Sequence, residues 1–348
     1  MISSERLLLR ADADEGVGTG HVMRCLALAQ AWIDAGGTAT VAACAIPGSL
    51  VARLGDEGVA VERILEQPGS QADAGATAAM AESLGANRIV CDGYRFGSAY
   101  QRAVREAGSL LLIDDTGELG PYAAELVLNQ NLHASEALYS DRASHTTLLL
   151  GPRYILLRRE FLRAQRVKGP LAEYARRLLV TLGGSDPVGT TVRVVRALGS
   201  LGGDTAIRVL VGPSNPRFEE LAFEAAAVPN HCQVVTDVGR MPSHFEWADL
   251  VVSGAGSTCW ELAYSGVPFV TIALAENQRP IAKSLEDAGV SRHAGWYADL
   301  DEGALAETVG DLAGDRPART GMASAGRALV DGFGAERVVG QIARAAAA

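Results

Sequence analysis

Residues 10–25 read R-A-D-A-D-E-G-V-G-T-G-H-V-M-R-C and join two segments of contrasting character. The preceding Leu7-Leu8-Leu9 is typical of a buried strand, and residues 22–35 have the pattern of a helix. Between them, three glycines let the backbone turn sharply and let a ligand approach closely. His21 follows at the first turn of the predicted helix, where the positive end of the helix dipole favours an uncharged imidazole that can act as a base. The stretch therefore predicts a ligand site in an open α/β sheet; the alternative is a histidine that only caps the turn.

The rest of the first half, up to residue 150, alternates short apolar runs with alanine-rich helical segments, and a second series of the same kind begins at Arg177. Apolar strands separated by helices indicate parallel sheets covered on both faces. We therefore predict two Rossmann-like, doubly wound parallel-sheet α/β domains facing each other across a cleft, covering residues 1–165 and 166–348. The predicted strands are 6–12, 38–44, 59–64, 88–92, 109–114, 125–128 and 147–150 in the first domain, and 177–182, 205–211, 232–236, 250–253 and 269–273 in the second.

The composition excludes several classes of protein. The 348 residues carry a net charge of −10 without a concentration of Lys and Arg, which argues against a nucleic-acid partner but leaves room for a phosphate ligand at a helix end. The five cysteines form no C-x-x-C pair, so neither a zinc site nor a disulfide framework is expected. With no signal peptide and no apolar run near 18 residues, we expect a cytoplasmic protein without stable membrane insertion. We also expect a monomer or a weak dimer.

Polar residues follow four predicted strands of the first half. Because parallel strands end at one edge of a sheet, these residues can converge on one crevice, although each can also be a turn former. Asp114 and Asp115 could hold Mg²⁺, but we favour hydrogen bonding and predict no metal site. The four groups are Asp12, Asp92-Gly93-Tyr94, Asp114-Asp115-Thr116 and Asn129-Gln130-Asn131.

The second half has two small-residue loops placed between a strand and a helix. Ser253-Gly254-Ala255-Gly256-Ser257-Thr258 offers backbone N–H groups and hydroxyls to an anion, as a phosphate site requires. Glu261 lies near the same face of the helix and suits the hydroxyls of a sugar, although Thr258 and Glu261 could instead form a capping box. The other loop is Gly183-Gly184-Ser185-Asp186. Farther along, Asn277 and Gln278 can serve a sugar, or Asn277 can be an N-cap.

Several of these segments together resemble a known family. They are R-A-D…G-T-G-H-V-M-R-C, D-G-Y at 92–94, I-D-D at 113–115, L-N-Q-N at 128–131, G-P-R-Y-I-L-L-R-R-E-F at 151–161, G-G-S-D at 183–186, S-G-A-G-S-T-C-W-E-L at 253–262 and E-N-Q at 276–278. In these segments the chain resembles the UDP-2,4-diacetamido-2,4,6-trideoxy-β-L-altropyranose hydrolases of pseudaminic acid biosynthesis. More distantly, the second half resembles the donor domain of the peptidoglycan N-acetylglucosaminyltransferase, which has the GT-B architecture. Spore-coat polysaccharide proteins are similar as well.

The resemblance implies metal-independent hydrolysis of a UDP-linked deoxy amino sugar at the anomeric C–O bond, without a cofactor. It places His21 in the catalytic position, Glu261 at the ribose hydroxyls, Ser257 and Thr258 at the pyrophosphate, and the backbone around Val238 at uracil. Activation of water by His21 on the side opposite UDP predicts inversion. We expect the sugar to contact Asp12, Gly18, Thr19, Gly20, Arg24, Tyr94, Asn277 and Gln278. We expect UDP to contact Gly183, Gly184, Ser185, Val238, Gly256, Ser257, Thr258 and Glu261.

Two other functions remain open at this point. A GT-B glycosyltransferase would pass the sugar of a UDP-sugar donor to an acceptor other than water at the same site, and a non-catalytic protein would only bind the nucleotide sugar. A G-x-G-x-x-G dinucleotide loop fits less well, because the stretch from Gly18 lacks the third small residue. For the other histidines, His133, His145, His231, His244 and His293, we expect surface or structural roles.

Overall fold

The structure is a computed structural model that describes residues 5–14, 16–164, 170–183, 186, 188–202, 204–212, 215–236 and 240–345. Contacts between residues divide the chain into two compact units. The first contains the described residues up to Arg159 together with those from Gly332 onward, and the second is Glu160–Asp331.

Strands and helices alternate through most of both units, as the sequence predicts, except that β5, β6 and β7 follow one another without an α-helix and the described chain ends in three helices. The strands are β1 (Arg6–Ala11), β2 (Thr38–Ala43), β3 (Ala60–Arg63), β4 (Arg88–Asp92), β5 (Ser109–Ile113), β6 (Leu126–Asn129), β7 (Thr147–Leu150), β8 (Arg177–Thr181), β9 (Ala206–Leu210), β10 (His231–Val235), β11 (Leu250–Gly254), β12 (Phe269–Ala273) and β13 (Arg292–Trp296). The helices are α1 (Gly20–Asp34), α2 (Gly48–Asp56), α3 (Gln71–Leu84), α4 (Ser98–Arg105), α5 (Arg159–Arg163), α6 (Thr190–Gly199), α7 (Phe218–Ala227), α8 (Met241–Trp247), α9 (Thr258–Ser265), α10 (Gln278–Asp287), α11 (Glu302–Gly314), α12 (Arg316–Leu329) and α13 (Gly334–Arg344).

Each unit has one parallel sheet whose strand order reverses direction at its first strand. Within the described residues, the first sheet has seven strands in the order β3-β2-β1-β4-β5-β6-β7, and the second has six in the order β10-β9-β8-β11-β12-β13. In such sheets the loops at the carboxyl ends of the two strands flanking the reversal leave a natural ligand crevice. These strands are β1 and β4 in the first unit, and β8 and β11 in the second. The predicted fold class of two doubly wound parallel-sheet α/β units is confirmed.

The apolar run at the start of the chain is explained by burial on both faces of the first sheet. Leu7 and Leu9 belong to a core cluster that includes residues of α1 and α13, whereas Leu8 belongs to a second cluster with residues of α3 and α4. Successive strand residues point to opposite faces, so a central strand covered by helices on both sides needs apolar residues at every position.

Two features of the second half differ from the sequence prediction. The strand β13, Arg292–Trp296, was not predicted, because its sequence R-H-A-G-W lacks an apolar run; His293 therefore lies in a strand rather than a loop. In addition, the contacts assign the described residues from Gly332 onward to the first unit, although the sequence placed residues 166–348 in one domain. The physical reason is that Val338 and Ile342 of α13 are buried in the core cluster that contains α1.

Candidate active site

The loop between β1 and α1 is closed by its own aspartate. Oδ1 of Asp14 accepts hydrogen bonds from the N–H groups of Gly16 and Val17, both at 2.8 Å, and the Asp14 carbonyl accepts from Gly18 N–H at 2.8 Å. Gly18 has a φ of 75°, a left-handed conformation that favours glycine. A Cβ atom at Gly20 would meet no described atom within 4 Å. The loop is thus fixed by hydrogen bonds and leaves open space at the start of α1, where Thr19 is the N-cap residue.

His21 is paired with Asp92, which ends β4 on the neighbouring strand of the sheet. The two side chains are separated by 71 positions in the sequence, yet His21 Nδ1 lies 2.5 Å from Asp92 Oδ1. The Asp92 side chain is fully buried, and His21 is 5% exposed. Because β1 and β4 are neighbours in the sheet, the helix that follows β1 brings its first turn over the end of β4. The pair therefore lies where the strand order reverses, as expected for a ligand site in this fold.

The charge of Asp92 decides which nitrogen of His21 carries the proton. Burial acts to raise the pKa of Asp92, but the neighbouring Arg24 and His21 outweigh it and lower that pKa, so the carboxylate is ionised at neutral pH. An ionised carboxylate only accepts hydrogen bonds, so Nδ1 must be the donor. The 3.1 Å approach of Arg24 Nη2 to Nδ1 is then a contact between two donors rather than a hydrogen bond. In the neutral form of the ring, Nε2 then keeps its lone pair, as a general base requires.

Arg24, three positions after His21 on α1, supports the same carboxylate. Its Nε donates to Asp92 Oδ2 at 2.9 Å, and its Nη2 donates to Asp92 Oδ1 at 2.7 Å. Its Nη1 donates to Asp115 Oδ2 at 2.5 Å, just beyond the end of β5. The Arg24 guanidinium is 7% exposed and bonds to two protein carboxylates. Its predicted contact with the sugar stays a prediction. Its pKa is raised because these carboxylates outweigh the desolvation that accompanies burial.

Tyr94 is the exposed side chain beside this cluster. Its ring meets the His21 ring edge to face, with 4.8 Å between the ring centroids. Tyr94 is 42% exposed, in contrast to the buried His21, Asp92 and Arg24. Burial, followed by the negative charge of Asp115, raises the pKa of the phenol, which therefore stays protonated at neutral pH. Tyr94 can thus offer both an aromatic face and a hydroxyl to a ligand near His21.

Asp12, also predicted to bind the sugar, has a structural role in the first unit. Its Oδ1 accepts from the N–H groups of Cys44 at 2.7 Å and Ala45 at 3.1 Å, and its Oδ2 pairs with Arg10 Nη1 at 2.8 Å. Arg10 is itself fully buried and is held on its other side by both carboxylate oxygens of Asp73. Asp12 therefore ties the end of β1 to the end of β2, and its contact with a sugar stays a prediction.

In the second unit, the loop Ala255-Gly256-Ser257 connects β11 to α9 at the point where the second sheet reverses. Helix α9 begins at Thr258 with Ser257 as its N-cap, and among the described residues the Ser257 side chain makes no capping hydrogen bond. Thr258 is thus the first helical residue rather than the N-cap that the capping-box interpretation required. Glu261 is buried in the first turn of α9. The predicted loop and helix start are confirmed, and their contacts with UDP stay a prediction.

The two predicted amide residues are placed at the start of α10. Gln278 Oε1 accepts a hydrogen bond from Leu274 N–H at 2.9 Å, and Gln278 Nε2 lies 3.8 Å from where a Cβ of Gly256 would be. Gln278 therefore bonds to the backbone just after β12 and lies beside the loop before α9. Asn277 occupies the N-cap position of α10, where its side chain makes no capping bond to the described backbone.

The loop after β8 differs from the loop after β11 in that one of its side chains bonds to the start of the following helix. The buried Asp186 has a φ of 35°, and its carboxylate accepts from the N–H groups of Thr190 at 3.0 Å and Thr191 at 2.6 Å. A protein carboxylate thus already caps the start of α6. Gly183 is exposed at the end of β8. The predicted UDP contacts Gly184, Ser185 and Val238 lie outside the described residues.

Two further observations concern the described residues as a whole. They include no group of three or more His, Cys, Asp or Glu side chains that could hold a metal ion. Asp114 and Asp115 were weighed above as possible Mg²⁺ ligands. In the structure, Asp114 accepts hydrogen bonds from Thr116 and from the Tyr122 hydroxyl, the latter at 2.7 Å. Among the helices of the described residues, none is long and apolar enough to cross a membrane.

Sequence reasoning singled out His21 but not its partners. Asp92, Asp115 and Asn131 were noted as members of polar groups at strand ends and of the segments that resemble the family, but they were not predicted as site residues. Their assembly around His21 depends on the order of strands β1, β4, β5 and β6 in the sheet. The sequence signal that could have identified these partners is the repeated occurrence of carboxylate and amide residues at the ends of neighbouring strands.

Comparison with known families adds information on the second unit. Residues 178–332 match the model of the glycosyltransferase family 28 C-terminal domain. This span coincides closely with the second unit, Glu160–Asp331, and contains the loops before α6 and α9.

Two curated relatives are named as a polysaccharide biosynthesis protein and a sugar transferase. The chain is 26% identical over 196 residues to the spore coat polysaccharide biosynthesis protein SpsG of Bacillus subtilis, covering 56% of this chain and 57% of that protein. It is 33% identical over 187 residues to the UDP-N-acetylglucosamine–N-acetylmuramyl-(pentapeptide) pyrophosphoryl-undecaprenol N-acetylglucosamine transferase of Halorhodospira halophila, covering 51% of this chain and 52% of that protein. The chain thus spans about half the length of these relatives.

Among solved structures, MurG of Acinetobacter baumannii is similar in fold. It has a TM-score of 0.67 and 19% sequence identity, covering 98% of this chain and all of that one. At this identity the similarity establishes the architecture, which is that of the GT-B glycosyltransferases.

Proposed function

We propose that this chain is an enzyme that acts on nucleotide sugars and breaks the anomeric C–O bond of a UDP-sugar, with His21 as the general base. The observation that carries the proposal is the 2.5 Å hydrogen bond from His21 Nδ1 to the buried Asp92. It fixes the ring orientation and the tautomer, leaving Nε2 to accept a proton. A buried histidine–carboxylate pair at the reversal point of a parallel sheet is more than a turn cap requires.

The proposed chemistry begins with an O–H nucleophile next to His21. As its oxygen attacks the anomeric carbon, Nε2 takes the proton, and the bond between that carbon and the UDP oxygen breaks. Asp92 then stabilises the imidazolium, as the carboxylate does in other histidine–carboxylate pairs. General base catalysis supplies about 10²–10⁴-fold in rate. Attack opposite the leaving group inverts the anomeric centre. Because His21 is 5% exposed, the nucleophile must reach it through a small opening, beside the exposed Tyr94.

We assign nucleotide binding to the second unit. The support is the family model over residues 178–332, together with the Ser257 hydroxyl that is not used to cap α9 within the described residues. In this assignment Gly256, Ser257 and Thr258 hold the pyrophosphate and Glu261 the ribose hydroxyls. The uracil contact at Val238 and the contacts of Gly183, Gly184 and Ser185 belong to the same proposal. Tyr94, Asn277, Gln278 and the loop from Gly18 to Gly20 are proposed to contact the sugar.

Two nucleophiles fit this site. If the nucleophile is water, the products are UDP and a free sugar; this is the reaction of the hydrolases whose motifs the chain resembles, and the sugar is then a deoxy amino sugar. If it is the hydroxyl of an acceptor, the enzyme is a glycosyltransferase. The match to the glycosyltransferase family 28 C-terminal domain and the similarity to an N-acetylglucosamine transferase favour this second reaction.

One experiment separates the two reactions. A set of UDP-sugars is incubated with the intact protein in H₂¹⁸O without an acceptor, and UDP and free sugar are followed by mass spectrometry. Sustained UDP release with ¹⁸O in the anomeric hydroxyl identifies a hydrolase. Release that requires an added hydroxyl compound, with the sugar recovered on that compound, identifies a transferase. If every UDP-sugar binds and none is cleaved under either condition, the protein is a binder and the enzymatic proposal is wrong.

A further inference from the structure

The guanidinium of Arg24 is shared between two carboxylates that follow adjacent strands. One edge, formed by Nε and Nη2, donates to both oxygens of Asp92 at the end of β4, and Nη1 donates to Asp115 Oδ2 just after β5. The arginine, both aspartates and Asn131 are all buried. A bidentate pair fixes direction as well as distance, so the Asp92 carboxylate cannot rotate away from His21 without breaking two further hydrogen bonds.

Asp115 is in turn fixed from its other side. Its Oδ1 accepts a hydrogen bond from Asn131 Nδ2 at 2.9 Å, and the backbone N–H of Asn131 donates to Asn129 Oδ1 at 3.0 Å. Residues at the ends of three adjacent strands, β4, β5 and β6, therefore form one continuous chain of hydrogen bonds that ends at His21. Buried polar networks in which each member is held are rigid and specify one arrangement.

The network also sets the charge around His21. Asp92 and Asp115 are negative and Arg24 is positive, so the three side chains together carry one negative charge. Burial raises the pKa values of the neighbouring Tyr94, Cys25 and Cys91, so these three side chains are uncharged at neutral pH. When His21 takes up a proton, the cluster becomes neutral. Without the charge of Asp115, Arg24 would cancel Asp92, and the imidazolium would lose this stabilisation.

We infer that Asp115 is a positioning residue for the His21–Asp92 pair and that it acts through Arg24. This inference rests on the proposed function, since it concerns the same general base. It gives Arg24 a role in orienting the base rather than in contacting the sugar. It also gives a role to Asp115, which was not among the residues predicted to contact the sugar or UDP.

The test is a double-mutant cycle between Asp115→Asn and His21→Ala, using a UDP-sugar that the intact protein cleaves. We expect Asp115→Asn to lower kcat by about 10- to 100-fold, because small displacements of a catalytic group are costly, and to leave KM within about twofold because Asp115 does not touch the substrate. In the His21→Ala protein the same substitution should change the residual rate by less than about twofold, since the base it orients is gone. An equal loss in both backgrounds, or no loss in the wild-type background, would overturn the inference.

Asp114→Asn is the matched control, because this neighbouring buried carboxylate bonds to Thr116 and Tyr122 rather than to Arg24. Its kcat should stay within about threefold of wild type. If Asp115→Asn does not fold, as judged by circular dichroism, Asn131→Ala replaces it, with a smaller loss of kcat that also disappears in the His21→Ala background. If His21→Ala itself keeps full activity, the proposed function fails, and that result is distinct from a failure of the cycle.

Discussion

At the scale of single residues, the site depends on one donor–acceptor pair joined across the sheet. His21 could be placed from the sequence, because a glycine loop followed by a helix start defines its surroundings locally. Its partner could not, because Asp92 is one of several aspartates at strand ends, and only the order of the strands decides which of them faces α1. Arg24 shows the same limit: its position three residues after His21 was visible, but its two carboxylate partners were not.

Replacing Asp92 by Asn tests the tautomer directly. An asparagine can donate to Nδ1 through its amide, which would move the imidazole proton to Nε2 and remove the base. We expect kcat to fall by about 10²–10⁴-fold, with KM for the UDP-sugar changed much less. Steady-state kinetics of UDP release measures both. A variant with wild-type kcat would show that Asp92 does not set the state of His21.

The same variant gives a pH dependence of stability. The pKa of Asp92 is lowered in the folded protein from its ordinary value of 3.8, because Arg24 and His21 outweigh the effect of burial. A lowered folded pKa contributes stability that is complete above the ordinary value and is lost as the pH falls from there through the folded pKa. Urea unfolding between pH 7 and pH 3 should therefore show wild type more stable than Asp92→Asn at neutral pH, with the difference narrowing below about pH 4. A difference that stays constant or widens on acidification would contradict this.

At the scale of elements, the strands and helices with strong apolar patterns were predictable and the weak ones were not. Strand β8 follows from its continuous apolar run, and helix α1 from its run of apolar residues after a glycine loop. Strand β13 did not, because its residues Arg292–Trp296 gain their strand conformation from pairing with β12 rather than from local preference. The start of α9 was predictable within a residue, but whether Thr258 was a cap or the first helical residue was decided only by the structure.

Helices α9 and α12 approach each other closely through a glycine. A Cβ atom at Gly326 would lie 2.9 Å from both Cα and the carbonyl oxygen of Ala263, which are backbone atoms and cannot move aside cheaply. We expect Gly326→Ala to lower the free energy of unfolding by about 1–3 kcal/mol. Chemical denaturation measures this change.

Gly321→Ala in the same helix is the control for this prediction, since a Cβ atom there meets no described atom within 4 Å. It should be neutral or stabilising by about 0.5–1 kcal/mol, as is usual for glycine to alanine in a helix. Equal effects of the two substitutions would show that α9 and α12 are not packed as closely as the structure has them.

At the scale of the whole molecule, two successive α/β series predicted two units, and the structure has them. The end of the chain was the part that sequence reasoning assigned differently, because an amphipathic helix does not reveal which core its apolar face will join. Val338 of α13 is fully buried with α1 in the core of the first unit, whereas Val309 of α11 is fully buried in the core of the second.

These two valines give a matched pair of substitutions. Val338→Ala and Val309→Ala should each destabilise by about 1–3 kcal/mol, because each removes buried methyl groups and leaves a cavity. Hydrogen exchange measured by mass spectrometry should show faster exchange in the first unit for Val338→Ala and in the second unit for Val309→Ala. If Val338→Ala loosened residues Glu160–Asp331 instead, the assignment of α13 to the first unit would be wrong.

The central claim concerns the whole molecule, since it joins a base in the first unit to a nucleotide-binding role for the second. His21→Ala is the most direct test, with UDP release and UDP affinity measured on the same protein. We expect UDP release to fall by about 10²–10⁴-fold, while the dissociation constant of UDP, from calorimetry, should stay within about twofold, because we propose that other residues hold the nucleotide. A variant that cleaves UDP-sugars at the wild-type rate would contradict it.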